Sequence, residues 1–511
     1  MMIEYRNGAV SRGAALALIA VAAAYTAAQL ASVPPRLGLG WDEIVYVTQV
    51  GREIPASYFS APRARGTSYL VAPITLFTSS TVLLRCYLSV LSGIGLAAAY
   101  WPWLRAVGPV RQWLVPLAAL LLSGLWIVQF YGPAAMPNHY VAFGAVAAAG
   151  WFCRYLSTGG RGALAGVAVA LAFTALMRPP DAVWLAFPLG AAALFLALRP
   201  AVTAQPSRGR PLALLAAGGV GLVAGAVPWV LEAYQRWGGI GQRLHAAAAV
   251  QDGLRPNLSA FGMQLRAVDG PMLCRPCTAD TLHSPLLALW WLALPLAVTA
   301  GLAVARLTGR LSLMLVAAAC GVSTAVPYLF LMTYAAPRFL IPAYALLALP
   351  SAEAIAWLAV GVPGRWRAVS MAFVATGLAV FLLGHHLMLA RMVDRQLAAR
   401  QNWVRIAAQL KTLGIVPPCT LSGYQAIPVA WYARCDAEDV AGNNESITVE
   451  ALLERARQQP TAILAHGHHP PPHARDWTPH LLSSLPAKDY VVYLPPWHGQ
   501  RFAQWSTPGG P

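Results

Sequence analysis

The sequence predicts a polytopic α-helical membrane protein with about eleven transmembrane helices and a small C-terminal extracytoplasmic α/β domain. Three observations carry this expectation. The 511-residue chain is 58% hydrophobic and only 11% charged, a balance outside the soluble globular range. Its apolar runs are joined by connections that, at alternate ends, carry arginine and no acid. Beyond about residue 390 acids accumulate and the apolar runs shorten.

The first apolar run, 13–33, is uncharged, follows Arg6 and Arg12, and is long enough to span a bilayer. Its length and the helices downstream favour a retained first helix over a cleaved leader. Further spans are expected near 80–101, 112–131, 139–157, 161–177, 180–198, 211–232, 284–305, 311–334, 339–360 and 366–389. Arg178-Pro179-Pro180-Asp181 marks a tight outer turn, because two prolines cannot continue a helix unbroken.

Loop charge sets the orientation. With the N-terminus cytoplasmic, the inner connections hold Arg105 and Arg111, Arg154 and Arg161, then Arg199, Arg208 and Arg210. Arg306 with Arg310 and Arg365 with Arg367 complete the set. Apart from Glu4 and Glu353, every acid falls in an outer segment or at an outer helix end. The expected location is the plasma membrane, with 1–390 as the membrane domain and 391–511 outside. The net charge of +17 is spread one or two residues at a time and forms no patch, so it reports topology and argues against a nucleic-acid partner.

Of the seven cysteines, Cys86, Cys153 and Cys320 lie in or beside apolar runs and read as buried thiols. Cys274 with Cys277, and Cys419 with Cys435, share polar regions and could form disulfides outside the cytoplasm. In the tail, helical periodicity covers 394–412 and 448–458, while 461–465 and 490–494 read as strands. His466 to His473 is interrupted by prolines and reads as a surface loop.

The first outer segment, 34–79, concentrates the chemistry. Asp42 and Glu43 are adjacent, so on a helix they point about 100° apart and cannot share one proton. Ile44, Val45, Val47 and Val50 suggest a short helix lying in the interface, with Tyr46 one turn from the acids. Capping of that helix explains the pair as well as catalysis does. Arg63 and Arg65 could clamp a phosphate or simply reach lipid headgroups.

Other outer turns add Asn138 and His139, and Arg178 opposite Asp181. His139 could orient a substrate or take a metal, although a capped polar helix end is the simpler reading. Arg338 opens a helix where a cation opposes the dipole, which points to an anion nearby. Glu353 sits inside an apolar run near its inner end and is expected to snorkel toward the cytoplasm.

Asp42-Glu43-x-x-Tyr46 followed by Gly51-Arg52-Glu53 resembles the Asp-Glu motif of the GT-C fold glycosyltransferases. The similar group is glycosyltransferase family 39, with the protein O-mannosyltransferases and the lipid A aminoarabinose transferases. Arg338-Phe339-Leu340-Ile341-Pro342-Ala343-Tyr344 looks like their Arg-Tyr-x-x-Pro-Ala-x-Pro helix start, without the second proline because Ala345 follows. The resemblance implies a GT-C-like membrane domain that moves one sugar from a polyprenyl-phosphate donor to an acceptor hydroxyl, inverting the anomeric carbon. The acceptor would be a polysaccharide, lipid or protein.

On that resemblance Asp42 is the general base, and Glu43 orients the acceptor or supports Asp42. Arg63, Arg65 and Arg338 take the donor phosphate, while Tyr46, Asn138, His139 and Arg178 contact substrate. Some relatives carry a second acid where Asn138 and His139 stand here, which leaves a divalent metal open. The reading from another class is a flippase or transporter of a lipid-linked sugar. That reading expects polar residues at the membrane midplane and repeated halves. A non-catalytic assembly protein is the third reading, and it expects Asp42 to be dispensable.

Overall fold

The computed structural model describes residues 10–108, 111–198, 209–275, 277, 285–362, 364–467, 469–482 and 490–498. Arg6, Arg199, Arg208, His468 and Glu4, used in the sequence reading, lie outside these residues.

After α1 (Arg12–Ser32) the chain makes two short helices, α2 (Trp41–Thr48) and α3 (Gly66–Thr75), before α4 (Thr81–Ala106). Next come α5 (Leu114–Ser123), α6 (Trp126–Tyr131), α7 (Pro137–Thr158), α8 (Arg161–Met177), α9 (Pro179–Leu198) and α10 (Gly209–Arg236). A second long connection holds α11 (Ile240–Val250) and α12 (Ser259–Ala267). Then follow α13 (Pro285–Leu307), α14 (Leu311–Phe330), a 3-10 turn over Pro337–Leu340, α15 (Ile341–Val360) and α16 (Arg367–Thr412).

Among the described residues eight helices are long and apolar enough to cross a membrane, which makes this a multi-pass membrane protein. Of the other spans expected, α5 and α8 are shorter apolar helices of 10 and 17 residues. Helix α7 has 22 residues but opens on Asn138 and His139. The run expected as one span over 112–131 is broken between α5 and α6 at Gly124-Leu125.

Small residues let the bundle close. Gly221 and Gly225 of α10 lie against the backbone of Ala168 and Ala172 of α8, where a Cβ would collide with their carbonyl oxygens. Helix α15 is the most enclosed of the candidate spans, buried from Ile341 to Ala354 against α5, α7, α13 and α14. Its neighbours satisfy buried polar tips: the Tyr100 hydroxyl donates to the Ala345 carbonyl at 2.7 Å, and Trp103 Nε1 to Val146 at 2.9 Å. Glu353 departs from the expectation of snorkelling. It is fully buried and ion-paired to Arg310, which precedes α14, so a partner replaces water.

Helix α16 does not stop near 389 but runs 46 residues without a break to Thr412, so its polar second half, expected as a separate tail helix, is the same helix. Beyond it the chain forms β1 (Thr420–Gly423), α17 (Ala426–Ala433), β2 (Asp436–Ala437), α18 (Val449–Gln458), β3 (Thr461–His466), β4 (Thr478–Leu481) and β5 (Tyr490–Leu494). The sheet order is β2-β1-β3-β5-β4, with β1 parallel to β2 and β3, and β5 antiparallel to β3 and β4. The cysteine pairs Cys274–Cys277 and Cys419–Cys435 are both bonded.

Helix α17 packs on both α16 and α2, so the tail sits directly on the connection that holds Asp42. Gly38 makes this approach possible: a Cβ there would strike the Tyr432 hydroxyl. The apolar face of α2, expected to meet lipid, is therefore covered by protein. Ile44 and Val45 are fully buried, between the bundle and the tail.

Candidate active site

The site grows from the N-terminus of α2. The carboxylate of Glu43 turns back to accept the Gly40 N–H at 2.7 Å, which closes the first turn as a capping box does. Its other contacts reach across the molecule. Arg85 of α4 donates to Oε1 at 2.5 Å and to Oε2 at 2.8 Å, and the Ala135 N–H donates to Oε1 at 2.9 Å. Arg400 of α16 lies 3.6 Å from Oε2. Arg85 and Arg400 both also donate to the Gly38 carbonyl. Burial alone would raise the Glu43 carboxyl, but Arg85 and then Arg400 outweigh it and hold the group below the usual carboxylate range. With its oxygens spent, Glu43 ties α2, α4, α16 and the turn before α7 together.

Asp42, one residue earlier, takes the neighbouring direction and opens on a cavity of about 610 Å³. Arg63 Nη2 donates to Oδ1 and Arg338 Nη2 to Oδ2, each at 2.9 Å. The Asp42 side chain remains 28% exposed, against 5% for Glu43. Burial pushes its carboxyl up, while Arg63 and Arg338 push harder the other way, so it is held below the ordinary range as an anion.

The arginines are themselves positioned. Arg63 lies over the rings of Trp41 and Tyr46 and donates to Ser60 Oγ at 3.2 Å. Arg338 enters from the 3-10 turn before α15, donates to the Met272 carbonyl at 3.1 Å and lies over Phe339. Its Nε is buried without a partner among the described residues. Arg178, at the end of α8, pairs with Asp181 at 3.3 Å, and the Tyr328 hydroxyl holds that acid at 2.5 Å. Among the described residues the cavity lining holds Arg63, Arg178, Arg275, Arg338 and Arg400 against Asp42 and Glu43, so its surplus is cationic and suits an anion.

The sequence candidates thus divide. Asp42, Glu43, Tyr46, Arg63, Asn138, Arg178 and Arg338 line one cavity. Arg65 does not: its guanidinium turns to Glu232 at 2.5 Å and to Gln49 at 2.9 Å, against the end of α10. His139 is fully buried among Ser92, at 2.7 Å, and Tyr25, and does not line the cavity. Sequence reasoning missed Arg85, Arg275 and Arg400. Arg85 had a signal, a lone cation inside an apolar run.

Among the described residues no group of three or more His, Cys, Asp or Glu gathers to hold a metal ion. Asp42 and Glu43 each give both oxygens to hydrogen-bond donors, chiefly guanidinium, so the donor set as arranged does not fit a divalent cation.

No protein-family model and no curated protein matches the sequence. Solved structures do. The chain is similar to ArnT from Cupriavidus metallidurans bound to undecaprenyl phosphate, with a TM-score of 0.63 and 13% identity over 93% of this chain and 97% of that one. The apo state of the same protein gives 0.62 at the same identity and coverage. The arabinofuranosyltransferase AftD from Mycobacteria gives 0.51 at 14% identity, over 96% of this chain and 40% of that one. The likeness establishes the fold: the chain is built as a GT-C fold membrane protein with a small C-terminal sheet.

Proposed function

We propose that this chain is an inverting glycosyltransferase that moves one sugar from a polyprenyl-phosphate donor to an acceptor hydroxyl. The observation that carries the reading is Asp42, a carboxylate held between Arg63 and Arg338 and open to a cavity of cationic surplus. Further support comes from the bound undecaprenyl phosphate of the similar ArnT structure. A second cavity of about 330 Å³ between α5, α13, α15 and α16 is almost wholly apolar, and α15 also leads from Arg338. A polyprenyl chain has the chemistry to lie there while its phosphate meets the arginines. The two disulfides fit an oxidising, extracytoplasmic face for the tail and the second long connection.

The step balances with this chain's residues alone. The acceptor oxygen attacks the anomeric carbon from the face opposite the phosphate, and Asp42 takes the hydroxyl proton. The bond from the anomeric carbon to the phosphate oxygen breaks, and its electrons leave with the polyprenyl phosphate. That phosphate gains a negative charge, which Arg338, Arg63 and Arg178 stabilise. Asp42 is a poor base while two guanidinium groups hold it. A donor phosphate competing for Arg63 and Arg338 weakens that hold and raises the basicity of Asp42 when substrate is present. Glu43 acts through position: it fixes α2 and so the direction of Asp42. Arg65 has no direct part.

The test is transfer of labelled sugar from a panel of polyprenyl-phosphate sugars to a crude cell-envelope acceptor, in membranes with and without this chain. Chain-dependent transfer from at least one donor supports the reading. Chain-dependent movement of lipid-linked sugar across the vesicle, without transfer, replaces it with the flippase.

A further inference from the structure

The cavity is built of two chemistries, and only the arginines are accounted for by a phosphate. Beside the hydroxyls of Tyr46, Ser60, Tyr131 and Tyr334, the remaining polar side chains include several carboxamides. Asn138 at the start of α7 is 1% exposed, lines the cavity, and among the described residues has no hydrogen-bond partner at either Oδ1 or Nδ2. Leaving both ends of a buried amide unpaired is costly, so a ligand that both donates and accepts is the natural complement. A hydroxyl does both.

The tail supplies the rest. Gln425, Asn443 and Asn444 line the same cavity. Gln425 stands at φ 61° and ψ 23°, a left-handed conformation that non-glycine residues hold only where the surroundings fix it, and its Oε1 is buried without a partner among the described residues. The loop bearing Asn443 and Asn444 is tied to the strand that leads into Gln425. The Gly423 N–H donates to Asp439 Oδ1 at 2.8 Å, the Asp439 N–H to Ser446 Oγ at 3.1 Å, and the Ser446 hydroxyl to Glu438 Oε2 at 2.5 Å. Trp403 of α16 adds an aromatic face to the lining.

Carboxylates are missing from this set. Among the described residues the lining holds two acids: Glu43 is fully engaged by arginines, and Asp42 is held by Arg63 and Arg338 and is the base of the proposed reaction, so no further carboxylate faces the cavity to receive an ammonium group. From this juxtaposition we infer that Asn138, Gln425, Asn443 and Asn444 form a hydroxyl-reading wall for an uncharged sugar ring, with Trp403 as its stacking face. The site thereby selects neutral sugars over amino sugars. The inference rests on the sugar-transfer reading above and names its substrate class.

The test uses the purified full chain and four probes in titration calorimetry. These are a short-chain polyprenyl phosphate, its neutral glycosyl esters, the matching amino-sugar ester, and neutral methyl glycosides added with the bare phosphate. Bare phosphate binds wild type and variants alike, and a neutral ring binds more tightly by about 10-fold, as expected for two or three added hydrogen bonds. Gln425→Gly loses about 5-fold of that gain while its Tm stays level or rises, because glycine adopts φ 61° without strain. Asn138→Leu also loses the gain with no loss of Tm, since it removes a buried unpaired amide.

A gain seen with the esters assigns the wall to the donor ring, and one seen with methyl glycosides assigns it to the acceptor ring. Both support the wall. Equal gains in wild type and variants overturn it, as does tighter binding of the amino-sugar ester. Phosphate binding with no gain from any neutral ring also overturns the wall but leaves the transferase reading intact. No binding of any lipid phosphate removes the transferase reading itself.

Discussion

Arg338 donates to Asp42 across 2.9 Å and 296 residues of sequence, joining the entry of a late helix to the first helix after α1. The pair explains a cation at a helix start, where it opposes the dipole. It also makes Asp42 a carboxylate whose basicity depends on what else Arg338 binds.

Arg338→Gln therefore has two expected effects. Transfer falls by about 100- to 1,000-fold through loss of charge stabilisation at the leaving phosphate. In the free enzyme the Asp42 carboxyl rises toward its ordinary range, so the acid limb of kcat/KM moves to higher pH. A pH profile of kcat/KM reads both, and an unmoved acid limb argues against coupling between the two residues.

Glu43 predicts a stability effect. Glu43→Gln leaves Arg85 and Arg400 buried without their charge partner, at a cost of about 3–5 kcal/mol. Thermal unfolding of the purified protein measures it. The double change Glu43→Gln with Arg85→Met costs less than the sum of the singles, because the orphaned guanidinium is gone.

The tail carries its own pH dependence. Burial, with Glu438 beside it, pushes the Asp439 carboxyl up to about 6 despite its bond from the Gly423 N–H. A carboxyl raised in the folded state binds its proton more tightly there than in the unfolded chain. This contribution to tail stability is thus full below about 4 and is lost as pH rises through about 6. Hydrogen exchange of the β1 and β3 amides between pH 4 and 7 reads it, and Asp439→Asn flattens the profile.

Cys419 and Cys435 join the residue before β1 to the residue before β2. Replacing both by serine is expected to cost the tail about 2–4 kcal/mol, read as a lower unfolding midpoint. Sugar transfer at temperatures where the tail stays folded changes little.

What the sequence showed follows from the range of each interaction. Apolar runs and turn prolines are local, so the long apolar helices and the Arg178-Pro179-Pro180-Asp181 turn were legible, as were β3, β5 and α18. Helix α16 was misdivided because hydropathy reports where apolar residues end, and the helix continues past that point with polar ones. Arg63 and Arg65 looked equivalent two residues apart, yet Arg65 immediately precedes α3 and faces Glu232 while Arg63 remains in the turn beside Asp42. Glu43 read either as a cap of its helix or as a support for Asp42, while Arg85 and Arg400, which hold it, meet it only through the packing of α4 and α16. Gln425, Asn443 and Asn444 gave no signal, since only docking of the tail brings them to the cavity.

Steady-state transfer from a radiolabelled polyprenyl-phosphate sugar by purified Asp42→Asn, beside wild type, tests the central claim most directly. Asn keeps the size of the side chain and removes the proton acceptor. With equal protein levels and equal Tm, the expected result is a fall in kcat of about 100- to 10,000-fold with donor KM little changed. Wild-type turnover in the variant would remove Asp42 as the base.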